Sequence, residues 1–288
     1  MSTTIGLVSN PLGIIVGFAL PGIFVLNESK TEIGNLMLIE AILSTISFIL
    51  VVFCFRAKPK TPPSSSAEVE RVDFRQSLPI LLKNKNYLLL LIYFSAGIGT
   101  QNTLATIIEL IGKPYGFSSA AVSLFAALSI TFGLIGDAIA SKIVTKMLKF
   151  KLFCLIIGCL SIIAFGIFTL TLPIGSIAIT AISICLVGFL LMPMLPISYE
   201  LGCELTFPIG EAMAGGLLNC GGTIFGILEV GIAYLLNNQP IASCIICIIG
   251  LLIGTVSIFL VKEDLKRIRQ EKQPLNDYNH FEKELNKD

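Results

Sequence analysis

The chain has 288 residues, of which 54% are hydrophobic and 14% charged, and its formal net charge is +1. Ordinary soluble domains carry about 25% charged residues, so a water-covered globule of this length is excluded. A net charge this close to zero also removes the electrostatic basis for nucleic-acid binding.

A helix needs roughly 20 apolar residues to cross a hydrocarbon core about 30 Å thick. Eight stretches of this chain meet that length. The first is about Thr4–Leu26, inside a run of 27 residues without charge. It holds Asn10, Pro11, Gly13, Gly17, Pro21 and Gly22. Pro11 and Pro21 each remove a backbone N–H and kink a helix. The small residues Gly13 and Gly17 allow close helix contact. Packing explains this pattern, and so does a bending helix beside a polar cavity that Asn10 helps to line.

The second span is Gly34–Phe55, with Glu40 inside it. Residues 56–86 form a polar loop with seven Lys/Arg from Arg56 to Lys85. Its run Thr61-Pro62-Pro63-Ser64-Ser65-Ser66 reads as extended, solvated linker. The third span is about Tyr87–Gly112 and places Gln101 and Asn102 mid-span. The fourth is about Ser118–Ala140, followed by Lys142, Lys146, Lys149 and Lys151. Residues 152–199 are uncharged and long enough for two spans, with Pro173-Ile174-Gly175-Ser176 as the turn between them. Pro193 and Pro196 interrupt the sixth span. A short acidic connection, Glu200 to Glu211, leads to the seventh span, about Ala212–Leu236, rich in glycine and carrying Asn219 and Thr223. The eighth is about Ile241–Val261, and a charged tail fills residues 262–288. Strands of a barrel are about 10 residues long and alternate in polarity. These runs are continuous and twice that length, so helices are expected.

Orientation follows from the Lys/Arg asymmetry of the loops. With loops assigned alternately, one side collects eighteen Lys/Arg and the other only Lys30 and Lys113. The basic side is expected to be cytosolic, with both termini and the long loop. An even span count is required to keep loop and tail together.

Acids inside or beside spans are Glu40, Glu109, Asp137, Glu200, Glu204, Glu211 and Glu229. A charge at the bilayer centre costs about 2.5–3.5 kcal/mol on insertion scales, so such groups face a cavity, a partner or the interface. Glu200 and Glu204 stand one turn apart on one helical face. Their expected partners are basic residues of the neighbouring cytosolic loops, as in a gate latch. The expected lining of a polar cavity is Asn10, Gln101, Asn102, Asn219 and Thr223.

No enzyme signature is found. The chain has one histidine, His280, which excludes H-E-x-x-H and zinc-site spacing. The eight cysteines lie mostly in apolar runs and read as small apolar residues. Nucleophile elbow, P-loop and paired intramembrane aspartates are absent. The expectation is no catalysis, no metal and no cofactor.

Several motifs resemble a known family. They are Ser9-Asn10-Pro11-Leu12-Gly13, Pro62-Pro63, Leu81-Leu82-Lys83-Asn84-Lys85-Asn86-Tyr87, Thr131-Phe132-Gly133-Leu134-Ile135-Gly136 and Ile224-Phe225-Gly226-Ile227-Leu228. The block from Glu200 and Glu204 through Phe207-Pro208 to Glu211 is the most specific. The chain resembles solute carrier family 49, the relatives of the feline leukaemia virus subgroup C receptor, within the major facilitator superfamily. The resemblance covers nearly all the chain except its last 25 or so residues. It implies an all-α membrane fold, a major facilitator superfamily-type bundle of twelve helices in two halves with a midplane cavity and alternating access. The eight transmembrane helices would correspond to helices 5–12, with the first four missing. Residues 1–55 would be the last two helices of the N-terminal half, 56–86 the central loop and 87–261 the C-terminal half. The partners implied are a lipid bilayer and a small organic solute, a cation or vitamin-like molecule. Pro11 and Thr223 stand where relatives that carry choline have glutamine, so neither choline nor haem is assigned by the resemblance. The superfamily's loop motif keeps only its final basic residue, Lys146, a further gate candidate beside Glu200 and Glu204. The alternative is a truncated, non-transporting membrane protein that at most associates with a full-length relative.

Overall fold

The computed structural model describes residues 29–55, 74–147, 149–236 and 239–272, with positions 13, 16, 17, 20, 24 and 25 of the first span. The described positions 13, 16, 17, 20 and 24 are helical. The rest of that span, with Asn10 and Pro11, lies outside the described residues, as does the Pro/Ser run of the central loop.

Helix α1 is Lys30–Cys54. Ser29 caps it by accepting the Glu32 N–H at 3.2 Å, one half of a capping box. It buries no residue, and Phe48 and Phe53 are among its most exposed side chains. Thr45 and Ser47 return their hydroxyls to carbonyls four residues back, which satisfies them without water.

Helix α2, Phe74–Lys83, falls in the stretch read as loop. Its amphipathic spacing buries Ser77 and Leu81, so residues 74–83 are not extended. Helix α3, Lys85–Gly112, follows at once, capped by Asn84. The same Asn84 side chain accepts the Tyr87 N–H and donates to the Leu205 carbonyl at 3.1 Å. A 3-10 turn, Lys113–Tyr115, ends α3, and Gly116 takes φ 81, a backbone that favours glycine.

Helix α4 is Ser119–Met147 and α5 is Phe150–Thr171. The turn expected at Pro173–Ser176 is a 3-10 turn, Leu172–Ile174, with Gly175 at φ 68. Helix α6, Ile177–Leu191, breaks at Met192-Pro193 and resumes as α7, Met194–Thr206. Pro196 sits in the first turn of α7, where its missing N–H has no helical partner to lose. Helix α8 is Glu211–Leu235 and α9 is Pro240–Leu260, with Pro240 in its first turn. A short helix α10, Lys266–Lys272, closes the described chain.

Among the described residues seven segments are long and apolar enough to cross a membrane, with α6 and α7 forming one of them. They match the second to eighth spans expected from the sequence. The six from Lys85 onward pack into one unit. In it α3 is central, lying against α8 and α9, while α4 pairs with α6, and α5 packs on α6 and α9. Lipid tails are as apolar as leucine, so close packing and hydrogen bonds hold these helices together rather than a hydrophobic drive. The α4–α6 seam is backbone against backbone. A Cβ on Gly188 would collide with the Ser129 carbonyl, and one on Gly136 with that of Phe189. Polar side chains bridge helices to backbone carbonyls. Tyr93 donates to Cys154 O at 2.8 Å, Ser257 to Leu89 O at 2.9 Å and Ser161 to Leu190 O at 3.2 Å.

Candidate functional site

The α3–α8 seam positions most of the polar residues singled out from the sequence. Gly99 on α3 lets α8 approach: a Cβ there would lie 3.0 Å from the Gly226 amide nitrogen. This contact sets Asn102 beside Gly226, since a Cβ on Gly226 would sit 3.7 Å from Asn102 Cβ. Thr223 is one turn before Gly226 on the same face of α8, and Asn219 one turn before Thr223. Asn102, Asn219 and Thr223 are all exposed on the outside of the six-span unit. They form a polar edge, continued along α3 by the exposed Thr106. The Thr223 hydroxyl is already used, donating to the Asn219 carbonyl at 3.0 Å. The Asn102 and Asn219 amides are further hydrogen-bonding groups of the edge.

Tyr199 of α7 joins this edge, and the sequence reading did not include it. Its side chain is half-buried and hydrogen-bonded to Asn219. Its ring lies 5.3 Å from that of Phe94, tilted by 43°. The Met-Pro-Met-Leu-Pro break brings it there by ending α6 and starting α7 in a new direction. An aromatic three residues after the second proline of the break was the available signal.

Gln101 does not join the edge. It is half-buried beside a cavity of about 20 Å3 between α3, α4 and α6, lined also by Ser129, Ile130 and Ile184. That volume holds about one water molecule. Gln101 Oε1 has no partner of its own.

Glu229 follows Gly226 by three residues on α8, turned inward from the edge, and is 3% exposed. Its Oε1 accepts from the Thr100 hydroxyl at 3.2 Å, and its Oε2 has no partner. Removing an unpaired carboxylate from water costs several kcal/mol even after relaxation. The described ion pairs, Arg267–Glu211 and Arg269–Asp264, do not include it. Its sequence signal was isolation, since no other Asp, Glu, Lys or Arg occurs between Glu211 and Lys262.

The basic loops and the tail meet at one end of the unit. Glu200 is exposed there, whereas Glu204 is buried and its Oε2 accepts the Ile268 N–H at 3.2 Å. Arg267 Nη1 donates to Glu211 Oε1 at 3.0 Å. Asn86 Oδ1 accepts the Lys262 N–H at 3.0 Å, and Glu263 Oε1 the Lys151 N–H at 3.2 Å. Residues 262–268 thus run across the ends of α3, α5, α7 and α8. A tail segment therefore meets Glu204. Lys146 belongs to α4, and its side chain lies outside the described residues.

Among the described residues no group of His, Cys, Asp and Glu has metal-binding geometry.

Residues 2–228 match the Major Facilitator Superfamily. An uncharacterized MFS-type transporter of Caenorhabditis elegans is 30% identical over 282 residues, covering 91% of this chain and 47% of the relative. The choline/ethanolamine transporter flvcr2a of Danio rerio is 30% identical over 277 residues, covering 91% and 59%. The choline/ethanolamine transporter FLVCR2 of Homo sapiens is 26% identical over 288 residues, covering 94% and 54%. The chain spans about half the length of the curated relatives it matches. These relatives bear out the resemblance to the leukaemia virus receptor family read from the motifs. A multi-pass bundle of long apolar helices and a match over most of its length lead to one assignment: the chain belongs to the major facilitator superfamily.

Proposed function

We propose that this chain is a multi-pass transporter that moves a small organic solute by alternating access. The observation that carries the reading is the polar edge of Asn102, Asn219 and Thr223 with Tyr199 on the outside of a unit that exposes many large hydrophobic side chains. In a two-half carrier such an edge faces the central cavity. The family and the naming of relatives as choline/ethanolamine transporters support the reading.

A small organic cation is the favoured solute class. Apart from the span ends, where Lys30, Lys85, Lys113 and Lys142 sit, the charged residues of the apolar spans are acids, among them Glu40, Glu109, Asp137 and Glu229. Tyr199 adds a ring face, which attracts quaternary and primary ammonium groups. Asn102 and Asn219 would hold the solute's hydroxyl, Asn10 and Pro11 would line the cavity from the first span, and Gln101 would hold water behind it. Glu200, Glu204 and Lys146 would form the gate at the basic end. By the Lys/Arg asymmetry that end, with both termini, is cytosolic.

The test is uptake of radiolabelled choline and ethanolamine by the full chain in proteoliposomes. Saturable uptake that Asn219→Ala reduces at least tenfold is expected. Uptake no greater than that of empty liposomes for both solutes would refute the solute class. Uptake indifferent to Asn102→Ala and Asn219→Ala would refute the site.

A further inference from the structure

Glu229 stands apart from the solute edge, and three helices close around it. From α3 come Thr100 and Thr103, both fully buried. From α9 comes Gly250, where a Cβ would lie 2.6 Å from Glu229 Oε1 and 3.0 Å from the Phe225 ring. Glycine at 250 is therefore what makes room for a carboxyl between α8 and α9. Thr100 and Gly250 lie near the middle of their helices, so the carboxyl is deep in the bundle rather than at its ends.

Few groups can balance a charge there. The titratable group facing Glu229 from α9 is the buried Cys247 thiol, one turn from Gly250. From α3 it meets only the two threonine hydroxyls, and Thr103 spends its own on the Gly226 carbonyl at 3.3 Å. From α8 itself it meets the Phe225 ring, and no other acid or base occurs in that helix after Glu211 apart from Cys220 and Tyr234. Two threonine hydroxyls, one of them shared with a backbone carbonyl, and a second oxygen without a partner are a poor cradle for an anion. They suit a carboxylic acid, whose carbonyl oxygen accepts from Thr100 and whose other oxygen carries the proton. An unpaired hydroxyl costs far less to bury than an unpaired charge.

We propose that Glu229 is a proton-binding site, filled while α3, α8 and α9 pack as they do here and emptied when the seam around it opens to water. On opening, the carboxyl O–H bond breaks, the electron pair stays on the oxygen and the proton passes to an entering water. On closing, the carboxylate takes a proton back from water before it is buried. If opening and closing face opposite sides of the membrane, each cycle carries one proton with the solute or against it. That last step rests on the carrier reading above, whereas the proton site itself does not.

The test uses the full chain in phosphatidylcholine nanodiscs and reads infrared difference spectra of wild type against Glu229→Gln. Glutamine keeps the shape and the acceptor for Thr100. At pH 7 the wild type should show the C=O stretch of a buried carboxylic acid, missing from Glu229→Gln. Thr100→Val should displace that band by removing its donor. A wild-type spectrum with no such band, or a band that survives Glu229→Gln or ignores Thr100→Val, overturns the site. In proteoliposomes, choline or ethanolamine uptake should respond to an imposed pH gradient, and Glu229→Gln should bring the ratio of uptake with and without the gradient to one. Uptake whose response to the gradient is unchanged in Glu229→Gln overturns the coupling and leaves the carrier reading standing. A band without any uptake upholds the site and tells against the carrier reading.

Discussion

Replacing Gly188 by alanine is the sharpest perturbation of the fold. A Cβ at that position overlaps the carbonyl oxygen, carbon and Cα of Ser129, all backbone atoms. No rotamer change can relieve the clash, so α4 and α6 must separate along their whole seam. Overpacking a tight interior costs about 1–3 kcal/mol. The usual gain of alanine over glycine in helix propensity does not offset this, because membrane helices stay helical when the bundle comes apart. For a chain of this size about 1 kcal/mol corresponds to about 2–4 °C in melting temperature. Gly188→Ala should therefore lower the melting temperature by several degrees, followed by size-exclusion monitoring of heated, detergent-solubilised protein. Gly166→Ala and Gly216→Ala are the controls. They make the same chemical change where a Cβ meets nothing within 4 Å, and they should leave the melting curve in place. A Gly188→Ala protein as stable as these controls would refute the backbone-to-backbone seam.

Other substitutions test other contacts. Tyr93→Phe removes the hydroxyl that bonds Cys154 O and should cost about 0.6 kcal/mol, a typical interhelical bond in lipid, seen as a small drop in melting temperature. Ile268→Pro removes the N–H that Glu204 accepts while staying compatible with the first turn of α10. It should speed tryptic cleavage after Arg269, and an unchanged cleavage rate there would count against the docked tail. Tyr199→Ala should raise the KM for choline or ethanolamine at least tenfold in liposomes, whereas Tyr199→Phe, which keeps the ring, should raise it less. A cysteine placed at Asp288 should react with an impermeant maleimide only after permeabilisation of cells, as expected of a cytosolic terminus.

The second to eighth spans were readable in the sequence because each is a continuous apolar run that a bilayer must accept as helix. The break within α6–α7 was readable at Pro193 and Pro196, since proline's chemistry acts on its own backbone. Helix α2 was not readable as such. The charges and Pro/Ser run of its loop dominate composition, while its helix depends on Leu81 finding a buried place against other helices. Among site residues, polarity alone marked Asn102, Asn219 and Thr223. It marked Gln101 equally, although one residue further along a helix turns a side chain by 100°. That rotation sends Gln101 toward α4 and α6 and Asn102 toward the edge.

The acids divide in the same way. Composition identified them, and their charge made each costly in lipid wherever it stood. Only the packing of α3, α8 and α9 closed Glu229 away without a cation, and only the path of residues 262–268 gave Glu204 a backbone N–H. The sequence by itself determined that the chain is helical, membrane-spanning and polarised in charge, because those properties follow from local hydropathy and from solvation of single residues. The tertiary structure decided which polar groups face outward, which are buried and what each one meets, because these depend on helix rotation and on glycine contacts between residues far apart in the chain.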